Sequence, residues 1–171
     1  MVLVSIGLAV GAIVVLIGVS AFFSSSETAI FTLPEAWFTS SESAADSRFT
    51  TLRNLRGDPH RLLVTLLVGN NVVNVAIASI TTLLFTEHLP AGVAVTASTV
   101  VASTVVLIFG EIVPKSYGLG HAEEWALRVA QPIALVGRAL LPLVVLFDWI
   151  TRHLNTAIGG ESAIEKTHVE E

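Results

Sequence analysis

The sequence predicts an all-α membrane protein, with three transmembrane helices and juxtamembrane, belt-like helices around them. Three observations predict it. Of 171 residues, 53% are hydrophobic and only 13% charged, and the mean hydropathy is +0.75; a soluble domain carries about a quarter charged residues. Residues 2–23, 62–85 and 91–110 are uncharged runs, each long enough for a hydrocarbon core that takes about 20 apolar residues to cross. Arg48, Arg53, Arg56 and Arg61 all lie between the first two runs, and Lys115, Arg128 and Arg138 follow the third. By the positive-inside rule this places the N-terminus outside and the C-terminus in the cytoplasm of a multi-pass cell-membrane protein.

Composition excludes several functions. There is no cysteine, so thiolate metal sites and disulfides are unavailable, and any bound metal must be held by oxygen or imidazole. A net charge of -5 with nine Lys and Arg argues against nucleic acid as a partner. The five histidines, His60, His88, His121, His153 and His168, fall outside the three apolar runs, and no GxSxG or HExxH occurs; the sequence reads as a non-enzyme.

The first span, about residues 2–30, lacks the basic start and small-residue cleavage site of a signal peptide and reads as retained. Gly7, Gly11 and Gly18 let another helix approach closely, as a packing or dimer face. Its second half turns polar, and Ser20, Ser24 and Glu27 share one side of the helix. The plain alternative is that such serines bond back to the carbonyl four residues earlier.

Residues 34–56 mix arginines, acids and aromatic residues in the manner of an interfacial helix. Gly57, Asp58 and Pro59 then make a turn that starts the next helix. The second span, about residues 61–86, holds Asn70, Asn71 and Asn74 at mid-depth; Asn70 and Asn74 share a face and Asn71 points about 100° away. Amides in lipid must find partners. Interhelical hydrogen bonding, worth roughly 0.6–2 kcal/mol per bond, accounts for one of them, whereas three within five residues favour a polar cavity.

The third span, about residues 91–113, follows a short turn and is therefore an antiparallel neighbour of the second. It ends in Gly110, Glu111, Ile112, Val113, Pro114 and Lys115. A carboxylate at the membrane boundary is a functional hypothesis by default. Pro114 has no N–H for the Gly110 carbonyl, so one backbone oxygen is freed beside one acid. The alternative is a Glu111–Lys115 pair at i,i+4, with Pro114 simply ending the helix. Residues 120–155 carry Arg138, Pro142 and Asp148 in an otherwise apolar stretch, which reads as a broken interfacial helix wrapping the core. Residues 156–171 open a polar cytoplasmic region.

Hydroxyls, amides, a freed carbonyl and one carboxylate are all oxygen donors, the set that hard divalent cations take, and Mg²⁺ in particular. One acid against a double charge leaves the site under-neutralised, so binding is moderate and release feasible.

SAFFSSSETA, GNNVVN and GEIVPKSYG, one per span and in that order, resemble the transmembrane domain of the CNNM/CorC (CorB) magnesium transporters over about residues 2–155. The resemblance implies a homodimer in the lipid bilayer, followed in the full-length protein by a cytoplasmic CBS-domain pair. It implies Mg²⁺ as the transported ion, moved by efflux, with Na⁺ as the candidate coupling ion. It also implies Ser24, Asn70, Asn74, Glu111 and the Gly110 region as metal-binding positions, with Ser20 and Gly118 as less direct correspondences. A membrane anchor, dimerisation or Mg²⁺-sensing module for a cytoplasmic regulator is the alternative reading of the same sequence.

Overall fold

A computed structural model describes residues 2–40 and 46–158. Of the expected polar region 156–171, residues 159–171 lie outside these, and residues 156–158 end the last helix. The described residues are helical and contain no strand. Helix α1 is Val2–Thr32, α2 Glu35–Ser40, α3 Ser47–Arg56 and α4 Pro59–Thr86. Helix α5, Ala91–Val105, runs through a π-helical segment, Val106–Ile112, into α6, Val113–Gly120; α7 is Ala122–Ala139 and α8 Leu141–Ile158.

Three helical stretches are long and apolar enough to cross a membrane: Ile6–Thr32, Pro59–Thr86 and Ala91–Gly120. Each boundary has a local cause. Pro34 disfavours helix at Leu33 and closes α1. Asp58 caps α4 by accepting from the Arg61 backbone N–H at 3.0 Å, with Pro59 in the first turn where no N–H is needed. The third stretch passes through Pro114 and continues to Gly120. The π segment explains this, because the Val113 N–H donates to Ile108, five residues back, and Pro114 then falls in the first turn of α6.

Helices α7 and α8 are bent by 73° at Leu140. Pro142 has no N–H for the Arg138 carbonyl, which breaks the helix there.

The core sits where α1, α3, α4 and α7 meet, around Ile30, Leu52, Leu66, Ile77, Val129 and Ile133. Away from it the spans turn large apolar residues outward, among them Leu8, Val75, Leu83 and Val100, the surface a lipid-facing helix needs. The carbonyls left open at the end of α1, that of Ile30 by Pro34, are met by Arg56. Its guanidinium donates to Ile30 O at 3.4 Å, to Leu33 O at 3.3 Å and to Glu35 at 3.1 Å, and lies 5.7 and 5.5 Å from the rings of Phe31 and Phe38. Trp37, Phe38 and Phe49 complete an aromatic knot that ties α2 and α3 to this end of the bundle.

Candidate functional site

Four polar side chains from the three spans form a hydrogen-bonded chain. Ser20 of α1 is buried, and its Oγ lies 2.9 Å from Asn70 Oδ1 and 2.8 Å from Asn74 Oδ1, both on α4. Asn74 Nδ2–H donates to Glu111 Oε1 at 3.3 Å, which reaches the π segment. That bond orients the Asn74 amide, so its oxygen turns towards Ser20. A hydroxyl has one proton, yet two carbonyl oxygens stand at bonding distance from it. One of the two oxygen pairs therefore has no hydrogen between its members.

Gly110 explains how the π segment comes so close. A Cβ there would lie 2.7 Å from Ser20 Oγ, so only glycine lets the two helices meet at this level. Position 114 supplies no N–H to Gly110, four residues back, or to Phe109, five residues back.

Ser24 lies one turn beyond Ser20 on the same side of α1. It is fully buried, and its Oγ has no hydrogen-bond partner among the described residues; an unmet buried hydroxyl costs about 1–3 kcal/mol. Back-bonding, the plain alternative for the serines, describes Ser25 and Ser26, which both donate to Phe22 O, but not Ser20 or Ser24.

Gly118 is not brought to this cluster. It is buried two helical turns past Glu111, where a Cβ would collide with the Ser25 carbonyl oxygen; its role in the fold is close contact between α6 and α1. Asn71 faces outward and is exposed.

Lys115 pairs not with Glu111 but with Glu27 of α1, Nζ to Oε2 at 3.6 Å. This leaves Glu111 with an amide donor rather than a cation. Beside that pair, Trp125 Nε1–H donates to Ser25 Oγ at 3.0 Å, fastening α7 across α1. Sequence reasoning missed these contacts, and also Gly69, whose added Cβ would lie 2.5 Å from the Phe23 ring. The only trace of the last in the sequence is the glycine beside the asparagines. Among the described residues no three His, Asp or Glu side chains gather, and the Ser20, Asn70, Asn74 and Glu111 chain rests on hydroxyl, amide and one carboxylate.

Fold and cluster together define a polytopic α-helical membrane domain with hydroxyl, amide and acid groups joined inside its spans. The chain belongs to the CNNM family, since residues 11–171 match the Cyclin M transmembrane N-terminal domain. It is 36% identical over 146 residues to a chloroplastic DUF21 domain-containing protein of Arabidopsis thaliana, a match covering 85% of this chain and 22% of that protein. It is 31% identical over 147 residues to the UPF0053 inner membrane protein YfjD of Escherichia coli, covering 85% of this chain and 34% of that one. The chain therefore spans about a fifth to a third of the length of these relatives.

Proposed function

We propose that this domain moves Mg²⁺ across the membrane, with a partly dehydrated ion as its cargo between the three spans. The observation that carries the reading is the Ser20, Asn70, Asn74 and Glu111 chain. Neighbouring oxygens around an octahedral ion with ligands at about 2.0–2.1 Å lie about 2.9 Å apart. Ser20 Oγ stands 2.9 and 2.8 Å from the two amide oxygens, and a cation placed among them resolves the pair that one proton leaves unbridged. The buried Ser24 hydroxyl and the backbone carbonyls near Pro114 supply further neutral oxygen, and Glu111 supplies the charge. The full reading is a homodimer with its C-terminus in the cytoplasm, efflux as the direction, Na⁺ as the coupling ion and a CBS pair as the downstream partner. Binding and release, not covalent catalysis, is the chemistry this donor set offers.

The test is Mg²⁺ flux in vesicles holding the purified protein. Glu111→Ala and Asn74→Leu should each abolish flux while the protein remains folded and of unchanged oligomeric size. Unchanged flux in both variants sinks the proposal.

A second reading, a membrane anchor, dimerisation or Mg²⁺-sensing module, draws on Gly7, Gly11 and Gly18. Nothing lies within 4 Å of a Cβ added at any of the three, so this small-residue face of α1 is open to another helix. A sensor binds Mg²⁺ without flux, and an anchor does neither. Equilibrium Mg²⁺ binding measured beside flux separates the three.

A further inference from the structure

A cavity of about 320 Å³ lies between α3, the start of α4 and the end of α7. Arg61 and Arg138 both line it, and neither guanidinium has an ion-pair or hydrogen-bond partner among the described residues. Arg61 stands in the first turn of α4, where the helix dipole is positive and a cation is disfavoured. Two like charges that face one hollow, one of them against a dipole, favour an anion between them.

The remaining polar groups narrow the choice. Asp58 also lines the cavity and accepts from the Arg61 backbone N–H at 3.0 Å; its single negative charge against the two arginines leaves the lining net positive. The hydroxyls of Thr51 and Thr65 donate to Ser47 O and Arg61 O. The Asn54 side-chain amide bonds to nothing among the described residues and is left to donate with the arginines. Leu62 and Ile133 provide an apolar floor.

We propose that this cavity binds the phosphate of an anionic phospholipid, clasped by Arg61, Arg138 and Asn54. Its position selects a lipid over free phosphate. The span Pro59–Thr86 begins two residues before Arg61, which sets that guanidinium at the edge of the hydrocarbon, the level of the headgroups.

The test is native mass spectrometry of the delipidated full chain with phosphatidylglycerol, phosphatidylcholine or inorganic phosphate. Wild type should retain phosphatidylglycerol over phosphatidylcholine by at least about fivefold, given that each basic residue near the surface favours anionic lipid. The Arg61→Gln/Arg138→Gln double variant should lose that preference. Gly137→Leu keeps both arginines and fills the hollow, since a Cβ at Gly137 points to Thr65 Cγ2 at 3.6 Å; it should lose the preference as well. Arg128→Gln, whose guanidinium pairs with Glu124 away from the cavity, should retain it. A preference kept in both the double variant and Gly137→Leu overturns the proposal. So does millimolar inorganic phosphate that binds with the same dependence on the two arginines while the two lipids are held equally.

Discussion

Asn74 and Glu111, 37 positions apart, meet across 3.3 Å where the second and third spans pack. The amide donates to the acid with its nitrogen and turns its oxygen to Ser20, so one side chain links a carboxylate on one neighbour to a hydroxyl on another. An acid within a span is costly when unmet. Here its partner is neutral, and the negative charge stays available to a cation.

This geometry is measurable apart from transport. In a double-mutant cycle of Asn74→Ala and Glu111→Gln, monitored by unfolding in detergent, the coupling should be about 0.6–1.7 kcal/mol, the scale of interhelical hydrogen bonds in membranes. Additive effects would mean that the two side chains do not touch.

Gly110 tests the same site through sterics. Gly110→Ala places a methyl 2.7 Å from Ser20 Oγ and 3.3 Å from Ser20 Cβ, so the helices must part, at about 1–3 kcal/mol for overpacking, and Mg²⁺ binding should fall with stability. Adding Ser20→Ala removes the closer clash and should recover part of the stability but none of the binding. Gly92→Ala, with nothing within 4 Å, is the control and should leave both unchanged. Thermal unfolding and Mg²⁺ titration of the four proteins check this.

The three spans and the polar residues within them were legible because Ser20, Asn70, Asn74 and Glu111 stand out against apolar runs, and helical periodicity puts Asn70 and Asn74 on one face. What was not legible depends on contacts distant in sequence. Glu111 and Lys115 look like an i,i+4 pair, but the π segment changes the register between them and Glu27 takes the lysine. Pro114 looks like a stop signal for the same reason, whereas the reset makes it a start. Arg56 resembles its exposed neighbours Arg48 and Arg53, and only the fold brings the orphaned end of α1 to it.

Arg56 should therefore be the arginine on which stability depends. Its side chain is 16% exposed, and its fork serves Ile30 O, Leu33 O and Glu35 at once while lying against two rings. Arg56→Ala strands those carbonyls and should cost about 2–4 kcal/mol. Arg56→Lys keeps the charge but not the planar fork and should recover less than half of that loss. Arg53→Ala, on an exposed position of the same helix, should change stability by less than about 0.5 kcal/mol. Chemical denaturation of the three variants gives the order directly.

Asp46 gives an acid-sensitive element with a predictable sign. It caps α3 by accepting from the Arg48 backbone N–H at 2.8 Å, and it also pairs with the Arg48 side chain at 2.8 Å. Hydrogen bonds from that guanidinium first, and from the backbone second, hold its carboxyl below the ordinary value of 3.8. Because the folded value lies below the unfolded one, the contribution is fully present above pH 3.8 and is lost as pH falls through the folded value. Helix α3 should then loosen at its N-terminus in acid while the spans hold. Trp37, whose ring lies 5.5 Å from Phe49 on α3, is the reporter, with Trp125 and Trp149 replaced by Phe. Its emission should shift below pH 3.8 in an otherwise wild-type background. In Asp46→Asn, which keeps the capping oxygen but has no proton to gain, the same acid step should be missing; an identical shift in both proteins would assign it to another group.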